Sequence, residues 1–256
     1  MWPYPTIIAH RGAGILAPEN TLAAMRIGRA HGYRGVEFDV MPSQDGIPIL
    51  MHDPTLGRTV AGTGNVAGHS AAQLLQMDAG SWFGAAFAGE PVPTLAQVID
   101  FCRVHGVWMN VEIKPVPGFE VATGDAVASM VRKRFDDLAL ASKDDLPALL
   151  PLLSSFSVAA LLAAKAAAPE VPRGLLVDRL PDDWREQLAQ TGAASLHLNQ
   201  QFLTREAAQQ IRQAGFGLFC YAVNDVARAS EILKWGVDAF CTDRLDLIGP
   251  EFGPVP

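Results

Sequence analysis

The sequence predicts a (β/α)8 barrel, and three observations support this fold class. Strand-like and helix-like runs alternate along the chain, and eight such units can be counted. The length of 256 residues suits one barrel of this kind. Residues able to do chemistry stand at or just after strand-like runs, where a barrel would gather them at one rim. An open, doubly wound sheet is the alternative, but the chain has no glycine-rich dinucleotide fingerprint.

Each element is predicted from apolar periodicity and from turn residues at its ends. In the first half of the chain we expect a strand at 6–10, a helix at 20–31, a strand at 35–41, an extended run at 47–52, a helix at 95–104 and a strand at 107–113. In the second half we expect strands at 149–154, 174–177, 195–198, 217–222 and 238–242, with helices such as 158–168 and 205–214 between them. A helix is expected after every strand.

One segment, residues 53–93, separates the second strand from its helix by far more than the usual 2–6 residues. It is rich in Gly and Ala but carries Trp82, Phe83 and Phe87. We predict an insertion that packs over the C-terminal mouth of the barrel, with a purely structural flap as the alternative. The chain otherwise shows no linker, so residues 1–256 are expected to form a single domain with this insertion.

Composition limits the classes of function. A net charge of −7 argues against nucleic acid or an anionic membrane as the main partner and favours a small-molecule substrate. No apolar run approaches the roughly 20 residues of a membrane span, and no signal peptide is expected at the start. Three cysteines without C-x-x-C spacing predict reduced, buried thiols in a cytosolic protein.

Three carboxylates predict a metal site. Glu37 and Asp39 are two apart on one strand and therefore share a face, and Glu112 repeats the pattern near the end of the next strand. Inside a barrel this face is the lumen, where carboxylates repel each other unless a cation lies between them. A surface-facing pair is the alternative, which apolar flanking residues disfavour. Carboxylate oxygens without a cysteine cluster favour Mg²⁺, Ca²⁺ or Mn²⁺ over zinc.

Two histidines accompany the carboxylates. His10 ends the first strand and His52 ends the extended run beside the second, so both are expected at the metal site as an acid–base pair. The other histidines are assigned no catalytic role; they are His31, His69, His105 and His197.

Cationic and capping residues complete the candidate site. Arg11 offers a forked contact to phosphate, while Lys114 either neutralises the phosphate or pairs with a carboxylate. Asn20 is expected to cap the first helix. Glu19 could reach the metal region or hold Arg11.

Ten short motifs follow one another along the chain: His10-Arg11-Gly12, Pro18-Glu19-Asn20-Thr21, Glu37-x-Asp39, His52-Asp53, Asp78-Ala79-Gly80, Pro93-Thr94-Leu95, Glu112-x-Lys114, Ser154-Ser155-Phe156, Val223-Asn224 and Thr242-Asp243. In this order, the motifs resemble those of the glycerophosphodiester phosphodiesterases. Trp2-Pro3-Tyr4-Pro5 and Trp235-Gly236-Val237-Asp238 are similar to the short cytosolic bacterial branch that works with the glycerol-3-phosphate uptake system. One departure is Tyr221, where many relatives carry Trp.

The resemblance implies a TIM barrel with an insertion after the second strand. It implies one divalent metal ion on Glu37, Asp39 and Glu112, acid–base catalysis by His10 and His52, and phosphate contacts from Arg11 and Lys114. The expected reaction is hydrolysis of glycerophosphodiesters, such as glycerophosphocholine and glycerophosphoethanolamine, to sn-glycerol 3-phosphate and an alcohol. The metal and the head-group preference stay open.

Other functions compete with this one. A lysophospholipase D or phosphoinositide-type lipase shares the chemistry, but no basic amphipathic helix is evident. A metal-dependent aldolase or isomerase would not explain two histidines beside Arg11 and Lys114, and the intact acid–base pair disfavours a non-catalytic scaffold. No Ser, Cys or Asp is an obvious covalent nucleophile beside the histidines, so the substrate's own 2-hydroxyl is the expected attacker. Resemblance to phosphoinositide-type lipases favours His10 as the base and His52 as the acid.

Overall fold

The computed structural model describes residues 2–140 and 149–253. It confirms the predicted barrel: eight parallel strands pair in a ring that closes between the first strand and the last. The barrel strands are β1 Ile7–Ala9, β2 Gly35–Pro42, β4 Trp108–Ile113, β5 Leu152–Ser155, β6 Arg173–Val177, β7 Ser195–Asn199, β8 Gly217–Tyr221 and β9 Ala239–Thr242. A ninth strand, β3 Pro48–Leu50, pairs antiparallel with the end of β2.

Helices surround the barrel, and one short helix, Ala71–Leu74, lies in the insertion. They are α1 Leu22–Ala30, α2 Ala71–Leu74, α3 Leu95–His105, α4 Glu120–Arg134, α5 Val158–Ala167, α6 Trp184–Thr191, α7 Arg205–Gln213 and α8 Val226–Lys234. Several begin at a side-chain cap; Thr94 and Ser70, for example, each form a capping box with a glutamine three residues on.

The prediction of a helix after every strand is wrong for β9. In the described residues that follow it, up to 253, the chain forms turns. Leu245 and Ile248 still pack into the core from these turns. Gly249 and Pro250 stop any helical continuation, because proline lacks the backbone donor and glycine is costly in a helix.

The register between β2 and β4 sets the geometry of the site. Glu37 lies opposite Asn110, and Asp39 lies opposite Glu112. Since side chains alternate between faces, these four residues share the lumenal face, while Phe38 and Val111 belong to the main hydrophobic core. The result is a two-by-two array of polar side chains on neighbouring strands.

The insertion after β2 has its own small core. Buried residues of β2 and β3 join others of the insertion in a separate hydrophobic cluster: Met41, Ile49, Met51, Leu56, Val60, Val66, Leu74, Ala79 and Val92. Asp78 ties one loop of the insertion by accepting backbone hydrogen bonds from Gly80, Ser81 and Gly89. The insertion is therefore a folded unit and reaches the rim of the barrel through Arg58.

Aromatic rings close the opposite end of the barrel. Tyr4 stacks on Trp108 with ring centroids 4.3 Å apart, and Trp2 stacks on Phe219 at 6.2 Å. The N-terminal residues thus cover the lower end. Cys102, Cys220 and Cys241 are buried free thiols, as expected. Among the described residues, no helix is long and apolar enough to cross a membrane.

Candidate active site

The turn after β1 is conformationally unusual. His10–Gly12 forms a single 3-10 turn in which Arg11 adopts a left-handed backbone conformation with φ of 49°. Gly12 follows with φ of 95°, and a Cβ there would stand 2.9 Å from the Cβ of Ala24 on α1. A non-glycine residue in the left-handed region is strained, and such strain clusters at functional sites. The conformation of this turn directs the side chains of His10 and Arg11 into the mouth of the barrel.

Three carboxylates converge in the barrel mouth. Ligand atoms of Glu37, Asp39 and Glu112 all lie within 4.8 Å of one another. Glu37 is 5% exposed and Asp39 is 2% exposed, so the surface-facing alternative does not hold. Carboxylates this close and this buried repel each other, and a cation between them would remove the repulsion.

The three carboxyl groups differ in their surroundings. Burial, together with the charge of Asp39, raises the pKa of Glu37 to about 7. Burial and the same neighbour raise the pKa of Glu112 well above its usual value. Burial would also raise the pKa of Asp39, but the positive charges of Lys114 and Arg11 outweigh it and lower that pKa.

Asp39 has its own hydrogen-bond partners. Its carboxylate accepts a bond from Asn20 Nδ2 at 2.9 Å and lies 3.3 Å from Lys114 Nζ, and its backbone N–H donates to Asn20 Oδ1 at 3.1 Å. The expected cap role of Asn20 is therefore wrong. Thr21 caps α1 instead, accepting from the backbone N–H of Ala24, and Asn20 is committed to Asp39 at a φ of 58°.

His10 is held by a carboxylate from the far end of the chain. Its Nδ1 lies 2.5 Å from Asp243 Oδ1, and its Nε2 lies 3.7 Å from Glu37 Oε2. A carboxylate only accepts, so Nδ1 carries the proton and Nε2 faces the carboxylates. Burial would lower the pKa of His10, but the Asp243 bond and the charge of Glu37 raise it. Asn224 fixes Asp243 in turn, donating to its other oxygen at 2.8 Å.

His52 is held in the same way from the other side. Its Nδ1 donates to Asp53 Oδ1 at 2.7 Å, and its Nε2 has no hydrogen-bond partner among the described residues. Arg58 of the insertion binds Asp53 and also reaches Glu19, at 2.7 Å from its Oε1. Burial lowers the pKa of His52, although the charge of Asp39 partly opposes this. Both histidines thus present Nε2 from a fixed ring.

The cations of the site are tied to carboxylates. Arg11 Nη1 donates to Glu19 Oε1 at 2.9 Å, so Glu19 holds Arg11, which was one of its two expected roles. Arg11 Nε lies 3.5 Å from Asp39 Oδ2, and Lys114 pairs with the same carboxylate. Both positive groups therefore contact the carboxylate array at Asp39.

These groups line one cavity of about 240 Å³ at the C-terminal rim. All the side chains singled out for chemistry from the sequence reach it: His10, His52, Arg11, Lys114, Glu37, Asp39 and Glu112. Phe156 and Tyr221 form an aromatic wall, with ring centroids 5.9 Å apart. None of the four remaining histidines lines it in the described part of the chain; His197 is fully buried lower in the barrel.

The sequence reasoning missed the residues that orient the histidines. Asp243 and Asp53 lie in quoted motifs, but nothing in their spacing assigns them to His10 and His52. Asp53 directly follows His52, which is a usable signal. Asp243 is 233 residues from His10, and only the closure of the barrel brings them together.

Comparison with known proteins agrees with this geometry. Residues 10–247 match the model of the glycerophosphoryl diester phosphodiesterase family. A glycerophosphodiester phosphodiesterase of Caldanaerobacter subterraneus is 31% identical over 242 residues, covering 93% of each chain. A relative with the same name from Bacillus subtilis is 29% identical over 94% of this chain and 84% of its own.

A solved structure is also similar. It is an Oleispira antarctica phosphodiesterase in complex with its product sn-glycerol-3-phosphate, with a TM-score of 0.83, 38% identity and 93% of each chain covered. A match of the family model over most of the chain, with full-length relatives at about a third identity, establishes the family. The chain is an enzyme of the glycerophosphodiester phosphodiesterase family.

Proposed function

We propose that this enzyme hydrolyses glycerophosphodiesters such as glycerophosphocholine and glycerophosphoethanolamine, releasing sn-glycerol 3-phosphate and an alcohol. The observation that carries the proposal is one cavity holding two oriented imidazoles, three carboxylates, a guanidinium and an ammonium. The family and the product complex of the Oleispira relative support the same substrate class.

The carboxylates suit a divalent cation. Glu37, Asp39 and Glu112 are the proposed ligands. Burial and the charge of Asp39 raise the pKa values of Glu37 and Glu112 and so disfavour their charged forms unless a cation is bound. Oxygen donors alone suit Mg²⁺, Ca²⁺ or Mn²⁺. A bound cation would supply Lewis-acid stabilisation of a phosphate oxygen.

Arg11 and Lys114 are proposed to bind the phosphate. Both line the cavity and both contact Asp39. Arg11 offers a planar, forked set of donors, while Lys114 offers a compact charge. Positive groups fixed before the reaction stabilise the charge that develops on the phosphate oxygens, which is usually the largest catalytic effect.

The two histidines are proposed to move the protons. His10 takes the proton from the substrate's 2-hydroxyl, which attacks the phosphorus; His52 protonates the departing alcohol. The cyclic glycerol phosphate is then opened by water with the roles exchanged. Asp243 and Asp53 hold the rings so that each Nε2 faces the cavity. A 2-deoxy substrate tests this route: cleavage as fast as that of the parent compound means direct attack by water.

A substrate with a good leaving group separates the roles. With the 4-nitrophenyl ester of glycerol 3-phosphate, the departing group needs little protonation. His52→Ala is then expected to recover most of its rate in the first step, measured as the initial release of 4-nitrophenol, while His10→Ala stays defective. The opposite pattern would reverse the assignment.

Three broader features are proposed on the same basis. Residues 1–256 act as one catalytic domain with the insertion at 53–93. The chain belongs to the short cytosolic branch that works with glycerol-3-phosphate uptake, for which three buried thiols without a disulfide suit a reducing compartment. The leaving alcohol is tolerated broadly, because Arg11 and Lys114, which line the cavity, are both assigned to the phosphate.

One assay tests the activity. The enzyme is incubated with glycerophosphocholine and Mg²⁺, Mn²⁺ or Ca²⁺, and released glycerol 3-phosphate is followed with a coupled dehydrogenase. Lysophosphatidylcholine in parallel tests the lipase alternative. No glycerol 3-phosphate from any glycerophosphodiester would refute the proposal. Discrimination above about 100-fold in kcat/KM, roughly 2.7 kcal/mol, among choline, ethanolamine and glycerol esters would refute broad tolerance.

A further inference from the structure

The three carboxylates of the candidate cation site are unequally satisfied. Asp39 is bonded to Asn20 and paired with Lys114, and Glu37 accepts from the backbone N–H of Arg11 at 3.2 Å. Glu112 has neither a hydrogen bond nor an ion pair within residues 2–140 and 149–253. Glu112 is therefore the carboxylate of the site whose oxygens lack protein partners in the described chain.

Two further orphaned oxygens lie beside Glu112. Asn110 precedes it by two residues on β4 and so shares its face, and Ser154 lies opposite it on β5. Asn110 is 2% exposed and Ser154 is fully buried, and both line the cavity. Asn110 Oδ1 and Ser154 Oγ have no hydrogen-bond partner in the described chain. Leaving such groups unpaired is costly, because they have lost their hydrogen bonds to water and gained none in the protein.

We propose that Asn110 and Ser154 are neutral oxygen donors of the cation site, completing the array of Glu37, Asp39 and Glu112 directly or through one water molecule. The register supports this: Asn110 is the fourth corner of the two-by-two array on β2 and β4. Hard cations take six or more oxygens, including amide carbonyls and water, so three carboxylates leave room for neutral donors. The inference rests on the proposed metal dependence of the enzyme.

The test is Mn²⁺ affinity, measured on the metal-stripped enzyme by electron paramagnetic resonance titration without substrate. Asn110→Leu is expected to weaken binding by about 10- to 100-fold, and Ser154→Ala by about 10-fold. Asn110→Asp keeps an oxygen at the same place and is expected to bind Mn²⁺ at least as tightly as the parent. This variant also tests the inference if Asn110→Leu does not fold.

The chain offers a matched control. Ser155 is adjacent to Ser154, but its Oγ donates to the Ile113 backbone carbonyl at 2.6 Å and lies on the other face of β5. Ser155→Ala should lower the free energy of unfolding and leave the Mn²⁺ dissociation constant unchanged. The inference about Asn110 is overturned if Asn110→Leu binds Mn²⁺ within two-fold of the parent, or if Asn110→Asp binds it more weakly. The inference about Ser154 is overturned if Ser154→Ala binds Mn²⁺ with unchanged affinity. A parent that binds no Mn²⁺ and hydrolyses substrate without metal overturns the metal dependence itself.

Discussion

His197 should make the stability of the fold depend on pH. Its ring is fully buried in the barrel, its Nε2 is 3.0 Å from Ser195 Oγ, and its Nδ1 has no partner in the described chain. The centroids of its ring and the Phe219 ring are 4.6 Å apart, and a Cβ on Gly174 would stand 2.4 Å from Nε2, so the ring is tightly packed on both sides. Burial lowers the pKa of His197 to about 3.

The magnitude follows from linkage between protonation and folding. The native pKa lies below the unfolded value of about 6.5, so the unfolded chain binds a proton first as pH falls. Above about pH 6.5, His197 therefore costs the fold no stability. As pH falls from there toward 3, the free energy of unfolding decreases progressively. A pH of 5 lies about 1.5 units below the unfolded pKa, so at 1.36 kcal/mol per unit the free energy of unfolding is about 2 kcal/mol lower there. Because the native pKa lies far below 5, this loss depends only on the unfolded chain.

Urea unfolding followed by tryptophan fluorescence, in EDTA at pH 7.5 and 5.0, gives the free energy of unfolding. We expect the difference between the two pH values to be about 2 kcal/mol smaller in His197→Gln than in the parent. Glutamine keeps a partner for Ser195, and a constant loss of packing cancels from the difference. His31→Gln, which removes an exposed histidine, is the control. Equal pH dependence in the parent and His197→Gln would refute the reasoning.

Three further predictions concern the site and its frame. Asp243→Asn should lower kcat by about 10²- to 10⁴-fold with little change in KM, because His10 loses the acceptor that fixes its tautomer; steady-state kinetics with a loss below about three-fold would contradict this. Stripping the metal with EDTA should abolish activity until Mg²⁺, Mn²⁺ or Ca²⁺ is restored, and Glu112→Ala should stay inactive while folded by circular dichroism; full activity in excess EDTA would contradict it. In urea titrations, Gly12→Ala should lower the free energy of unfolding more than Gly46→Ala. Both substitutions place alanine at a positive φ, which costs about 1–2 kcal/mol, but only a Cβ at position 12 also meets neighbouring atoms. Equal losses would show that those neighbours move aside.

The features that the sequence predicted correctly are those that depend on the local alternation of apolar and polar residues. Alternation along β2 places Glu37 and Asp39 on one face whatever the rest of the chain does, and the apolar residues between them assign that face to the lumen. The eight-unit rhythm similarly predicted the barrel, although β5 was placed at 149–154 and runs from Leu152 to Ser155. Short apolar runs fix the existence of a strand better than its ends.

The sequence could not predict choices made by tertiary contacts. Asn20 and Thr21 are both good helix caps by type, and only the demand of buried Asp39 for a partner assigns Asn20 elsewhere. Arg58 sits in a glycine-rich loop with no periodicity, so its bridge from Asp53 to Glu19 becomes visible only once the insertion has folded.

The pairing of β1 with β9 closes the barrel between two segments that are far apart in sequence, and it makes catalysis conditional on a complete fold. Asp243 follows His10 by 233 residues in the chain, so the ring is oriented only after the strands that directly precede them have paired. A nascent or C-terminally shortened chain could bury most of the barrel and still lack its aligned imidazole. Activity in this enzyme is therefore a direct reporter of barrel closure, and a circular permutant that moves the chain ends elsewhere would place His10 and Asp243 close together in sequence.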